Sequence, residues 1–181
     1  MKSALSRLLA IATVMLLSAC AQIRYGDDFK SGTDFNNLKT YQWRSTAVDI
    51  GGIDKSLLQQ LADAQLLAQG FTPSDSAPDV LLDLQVFSRV SSGGNTSIGI
   101  GIGMPMGRHG SIGLGTGTLL GQGKQEGVIV VDITQAKSNT LIWRGTAEGI
   151  PLINFSLKAE NKLRETFTQL LQQFPPQTAA K

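Results

Sequence analysis

Apolar residues recur along this chain with two periods, and the period changes where the chain changes element. Leu38 to Trp43 (LKTYQW) alternates and is rich in aromatic and β-branched residues, which predicts a strand. From Ile53 to Gln69 the spacing becomes helical, with Leu57, Leu61, Ala64 and Ala68 on one stripe and Lys55, Gln59, Gln60 and Asp63 off it. Asp54 is placed to cap this helix, and Gly70 followed by Phe71 suits a left-handed stop. Asp79 to Val90 returns to period two: Val80, Leu82, Leu84 and Val86 point one way, Asp83, Gln85 and Arg89 the other. Two further strands are expected over Glu126–Thr134 and Thr140–Glu148, joined through Lys137-Ser138-Asn139. A last helix, Leu157–Phe174, carries Leu163, Phe167, Leu170, Leu171 and Phe174 on one stripe, pairs Glu160 with Arg164 at four-residue spacing, and ends at Pro175-Pro176. Ile23–Tyr25 reads as an edge strand. These elements predict an α+β fold, a mostly antiparallel sheet with two helices packed on one face.

The N-terminus follows a different pattern. Lys2 and Arg7 precede a ten-residue apolar core, Leu8–Leu17, interrupted only by Thr13, too short for a stable membrane-spanning helix but sized for a secretory signal. Leu17, Ser18, Ala19 and Cys20 then resemble a bacterial lipobox, in which the cysteine sulfur takes a diacylglycerol, cleavage precedes it, and the new amine is acylated. One acyl chain holds a protein only marginally, two or three firmly. Ala21 resembles the residue found after the cysteine in lipoproteins sent to the outer membrane. The expected organisation is a signal peptide over 1–19, a lipid-anchored tether over 20–36, one domain over 37–176 and a tail over 177–181.

Cleavage alters the charge arithmetic. The full chain has 181 residues with 16 basic and 14 acidic side chains; loss of Lys2 and Arg7 leaves 14 of each. A neutral mature chain lacks the basic stripe that nucleic-acid binding requires. One cysteine excludes a disulfide framework, and one histidine argues against most zinc sites.

Between Gly93 and Gly123, twelve of 31 residues are glycine. Ile98, Ile100 and Ile102 alternate with glycine, as do Ile112 and Leu114, and Met104–Gly110 between them has turn chemistry. This predicts a Gly-rich β-hairpin with one aliphatic and one bare face. Four roles stay open: extension of the core, reception of another protein or lipid surface, a disordered loop, and self-association. Those five aliphatic residues are the candidate interaction surface.

Catalytic motifs are missing from the sequence. No serine sits in G-x-S-x-G, and neither G-x-G-x-x-G nor a phosphate-binding loop occurs; Gly123-Lys124 is followed by Gln125. His109 falls in the hairpin turn and reads as solvated. Asp79, Asp83 and Asp132 are the carboxylates that an enzyme would have to gather in one cleft. Asp27, Asp28 and Asp34 do not follow the twelve-residue calcium-loop pattern. No cofactor and no metal is expected beyond the acyl chains on Cys20. Trp43 and Trp143 read as packing residues.

Several stretches in order, Asp34-Phe35, Leu38–Trp43, Gly70-Phe71, Pro78-Asp79-Val80, Glu126-Gly127, Val131-Asp132, Leu141–Gly145 and Phe174-Pro175-Pro176, resemble the bacterial lipoprotein family known as domain of unknown function 4136. The resemblance runs from about Ile23 to Pro176 and includes the Gly-rich insert. It implies an anchored envelope protein and brings no catalytic residue. The expectation is therefore a non-enzymatic outer-membrane lipoprotein facing the periplasm, with an envelope protein as partner and an unassigned oligomeric state. The alternative is a periplasmic domain binding a lipid or small apolar ligand.

Overall fold

The computed structural model describes residues 23–91 and 124–176. Its elements are β1 (Arg24–Phe29), β2 (Thr40–Asp49), α1 (Lys55–Ala68), β3 (Thr72–Pro73), β4 (Val80–Val90), β5 (Gln125–Gln135), β6 (Thr140–Ile150) and α2 (Glu160–Leu171). Short 3-10 turns at Leu152–Asn154 and Leu157–Ala159 lead into α2. Cys20, its neighbours Leu17–Ala19, and the predicted hairpin with Ile98, Ile100, Ile102, Ile112 and Leu114 lie outside the described residues.

The six strands form one sheet in the order β1-β6-β5-β4-β2-β3. The α+β class stands, but the sheet is mixed rather than mostly antiparallel: β1, β6, β5 and β4 pair antiparallel, whereas β4 and β3 both run parallel to β2. The cause is α1. A helix between two strands carries the chain back to the end where the first strand began, so the next strand returns parallel; a short turn, as between β5 and β6, reverses it. Periodicity identifies strands but not the direction in which distant ones meet. β1 pairs with β6 along its whole length, which carries the sheet upstream to Arg24.

The core lies between the helices and one sheet face. Leu82, Leu84 and Val86 of β4, Ile129, Val131 and Ile133 of β5, and Trp143 and Ala147 of β6 meet Leu58, Leu61 and Leu66 of α1 and Leu163, Phe167 and Leu170 of α2. The stripe on α2 is as predicted. That on α1 is rotated: Leu58, Leu61, Ala62 and Leu66 are buried, while Ala64 and Ala68 face water. Both runs satisfy helical spacing, and the larger leucines take the core because they bury more apolar area.

Local chemistry closes the elements. At the end of α1, Gly70 has φ +86° and its N–H reaches the Leu67 carbonyl at 3.0 Å, while the Phe71 N–H reaches that of Leu66 at 3.0 Å. This is the paired bonding of a Schellman stop, and it turns Phe71 into the core. Asp54 makes no side-chain cap on α1, contrary to expectation. On β6, Gly145 is required by a close approach: a Cβ there would lie 2.2 Å from Trp143 Cη2 and 2.9 Å from Leu170 Cδ1.

Candidate functional site

The face of the sheet opposite the helices carries most of the charge chemistry. Alternation places Asp83 of β4, Asp132 of β5 and Arg144 of β6 in one cross-strand row, with Asp83 opposite Asp132, Asp132 opposite Arg144, and Arg144 opposite Asp28 of β1. Two carboxylates facing each other would repel, but each has its own guanidinium. Arg144 grips Asp132 in a two-pronged pair, Nε to Oδ1 at 2.5 Å and Nη2 to Oδ2 at 2.6 Å. Arg44 donates from Nε to both Asp83 oxygens, at 3.1 and 3.0 Å, and from Nη2 to Oδ2. The fork geometry of arginine suits such pairing.

Arg44 reaches Asp83 because β2 has a bulge. The register steps from Trp43 opposite Leu82 to Ser45 opposite Asp83, leaving Arg44 as the extra residue. With one residue inserted, Arg44 and Ser45 both reach Asp83, and the Ser45 hydroxyl donates to Oδ1 at 2.5 Å. Burial pushes the Asp83 carboxyl up, but the bonds from Arg44 and Ser45 outweigh it and hold its pKa below the usual carboxylate value.

A second cluster sits at the other end of the same face. Arg89 donates from Nε to Glu126 Oε1 at 2.9 Å and from Nη2 to Glu148 Oε2 at 2.6 Å, and Arg24 lies 3.4 and 3.6 Å from the same two carboxylates. Two positive and two negative groups close this cluster. Asp83 and Asp132 are each only 8% exposed and Glu126 7%. Between the clusters, Val130 lies opposite Gln85 and Thr146, and Val128 opposite Phe87 and Glu148; both valines are buried although they point away from the helices.

Of the three carboxylates picked out by sequence, the fold brings Asp83 and Asp132 together and keeps Asp79 apart. Asp79 precedes β4 and accepts from the N–H groups of Lys39 and Thr40, both at 2.9 Å, and from the Thr40 hydroxyl at 2.8 Å. The Lys39 N–H is foremost in holding its pKa down. A general acid at neutral pH needs a raised pKa, the opposite of what Asp79 and Asp83 have. Their chemistry is electrostatic closure of strand ends and of the sheet face.

On the helix side, Asp63 of α1 accepts from Tyr41 Oη at 2.7 Å and Trp43 Nε1 at 2.8 Å, clamping α1 to β2. Burial first, then the Asp63 carboxylate, pushes the Tyr41 hydroxyl pKa far up. Sequence periodicity places Asp63 off the apolar stripe; only the fold shows what it holds. Trp143 is fully buried against Phe174, ring centroids 5.3 Å apart, as its packing role predicts. Its Nε1 has no partner. The pairing of the arginines on the open face is likewise not legible in the sequence, because opposite charges signal a pair only once the register is known.

Elsewhere, an open groove of about 350 Å³ is lined by Ile23, Tyr25, Pro151, Asn154, Lys162, Glu165 and Thr166. No helix among the described residues is long and apolar enough to cross a membrane. Among the same residues, no group of three or more histidine, cysteine or carboxylate side chains is placed to hold a metal ion.

Comparison with known proteins adds the family. Among solved structures, the chain is similar to a PDZ domain protein from Parabacteroides distasonis ATCC 8503, with TM-score 0.53 and 17% identity, over 96% of this chain and 41% of that one. The chain thus spans about two fifths of that protein's length, and the likeness shows a shared fold alone. A weaker likeness, TM-score 0.49 at 8% identity over 87% of this chain and 100% of the other, is to a PelC dodecamer from Paraburkholderia phytofirmans. That second value is too low to carry an argument. None of the curated proteins compared matches the chain. The family model described as domain of unknown function (DUF4136) matches residues 26–176, from within β1 to just beyond α2, and the chain belongs to that family.

Proposed function

We propose that this protein is a lipoprotein of the outer membrane, held by acyl chains on Cys20, whose α+β domain faces the periplasm as a non-enzymatic module that contacts another envelope protein. The contact is assigned to the Gly-rich segment and the sheet end from which it departs. The observation that carries this reading is the base of that segment. β4 and β5 pair in register as far as Val90 and Gln125, and the Ser91 N–H still reaches the Lys124 carbonyl at 2.8 Å. The two ends that flank residues 92–123 are therefore hydrogen-bonded neighbours in the sheet, beside the closed Arg89–Glu126–Glu148 cluster. The segment's Ile/Gly alternation offers aliphatic side chains and bare backbone, a composition suited to receiving another chain.

The carboxylates support a non-enzymatic reading, since the oxygens of Asp79 and Asp83 are taken up by structural donors from Lys39, Thr40, Arg44 and Ser45. The ligand-binding alternative, in which the glycine face opens a pocket beneath the sheet, is less favoured because Tyr41, Leu84, Trp143 and Phe167 are packed in the core among the described residues. In-cell photo-crosslinking from Gly99, Ile100 or Gly113 tests the reading. A discrete heavier adduct is expected, and its mass identifies the partner. Absence of an adduct together with strong hydrogen-exchange protection of those positions would place the segment in the core and refute the proposal.

A further inference from the structure

We infer that Ile153 and Leu157 form an apolar knuckle that seats in the lipid surface beside the acyl anchor and so fixes how the domain stands on its membrane. The inference rests on the lipid-anchor reading above and adds an orientation to it. After β6 ends at Ile150, the two 3-10 turns carry the chain to α2. Phe155 between them is buried, whereas Ile153 is 77% and Leu157 69% exposed, the largest values among the exposed large apolar residues described. A single exposed leucine is ordinary and calls for no explanation. Location distinguishes this pair.

Ile23, the first described residue, lines the open groove together with Pro151 and Asn154, so the incoming chain passes the same turn that carries Ile153. Cys20 precedes Ile23 by three residues, and three extended residues reach at most about 11 Å. An acylated Cys20 therefore holds this end of the domain against the bilayer. An apolar group seated in a membrane interface is buried roughly 5–10 Å into the headgroup and acyl boundary, a depth commensurate with that short leash. Lys158, exposed beside Leu157, adds a positive charge facing the anionic headgroups. The occupant of the knuckle is bilayer lipid.

The opposite end of the helices supplies the control. Gln69 Nε2 donates to the Leu171 carbonyl at 2.8 Å, which sets the C-terminal ends of α1 and α2 side by side. Leu67, 51% exposed, sits at that end. The 12 residues of α2 separate it from the knuckle by about 18 Å.

The test uses the full chain purified from membranes, with acylation of Cys20 read by intact mass. Because acylation consumes the native thiol, Leu157→Cys or Leu67→Cys can be labelled singly with an environment-sensitive fluorophore. The labelled protein is placed in phosphatidylethanolamine–phosphatidylglycerol vesicles carrying acyl-chain spin labels. Quenching of at least about twofold is expected at position 157 and little at 67, given interfacial seating. Adding Ile153→Asp to the Leu157→Cys chain is expected to reverse most of the quenching while leaving the circular dichroism unchanged. An acylated, vesicle-bound protein whose two positions are quenched alike would overturn the knuckle and leave the anchor standing. A purified chain without acyl mass would overturn both.

Discussion

Replacing Arg44 with methionine isolates the electrostatics of the open face. The substitution keeps an unbranched stem over β2 and removes the guanidinium that donates twice from Nε and once from Nη2 to Asp83. Asp83 then retains Ser45 as a donor, with the Asp132 carboxylate directly opposite. Breaking a fully buried pair costs about 3–5 kcal/mol and an exposed one about 0.2–1 kcal/mol. The Asp83 side chain is 11% exposed but Arg44 is 42% exposed, so solvent already screens one partner. The expected cost is about 2 kcal/mol at pH 7, between those limits. For a domain of this size that lowers Tm by roughly 4–8 °C.

The pH dependence carries the sharper test. In the parent, the folded-state pKa of Asp83 is depressed. Its stabilisation is complete above the unfolded carboxylate value near 3.9 and is lost as pH falls through the lower folded value. The gap between parent and Arg44→Met is therefore widest at neutral pH and closes on acidification through that window. Asp83→Asn in the same chain should recover most of the loss, since no buried charge is then left without its partner. Urea unfolding at a series of pH values measures all three. A gap below about 0.5 kcal/mol, the ordinary surface-substitution level, or one constant with pH, would refute the reasoning.

Three other experiments probe separate parts of the account. Gly145→Ala places a Cβ within 2.2 Å of Trp143 and should lower stability by about 1–3 kcal/mol through overpacking; thermal denaturation with near-ultraviolet dichroism reads it, and Gly26→Ala, whose Cβ would meet only Thr146 at 3.4 Å, is the tolerated control. Asp63→Ala removes the common acceptor of Tyr41 and Trp43 and should cost about 1–3 kcal/mol, with a change in Trp43 fluorescence; an unchanged urea midpoint would deny the clamp. Ile100→Ser with Leu114→Ser should abolish the photo-crosslinked adduct with little change in melting, whereas a lowered melting temperature with the adduct intact would return the segment to the core.

How much of this was readable in advance depends on the range of the interaction. The strand alternation, the α2 stripe and the glycine stop after α1 are set by residues a few positions apart, and periodicity captures them. The direction of β2 relative to β4 depends on a crossover through α1, and the sheet is mixed for that reason. The bulge at Arg44 shifts register by one residue and decides which side chains reach Asp83, yet nothing in the string TYQWRS marks it. Asp83, Arg89 and Asp132 could be assigned to a strand, whereas their partners Arg44, Glu126, Glu148 and Arg144 follow only from which strands become neighbours. The α1 stripe is rotated because two overlapping apolar sets, Leu57, Leu61, Ala64 and Ala68 against Leu58, Leu61, Ala62 and Leu66, share the same period and only packing against the sheet chooses between them.

The acyl anchor underlies both the proposed location and the orientation of the domain, and the mass of the intact chain isolated from cells tests it most directly. The account predicts a polypeptide that begins at Cys20 and carries diacylglyceryl and N-acyl additions. A chain that retains residues 1–19, or begins at Cys20 with a free thiol and amine, would contradict it.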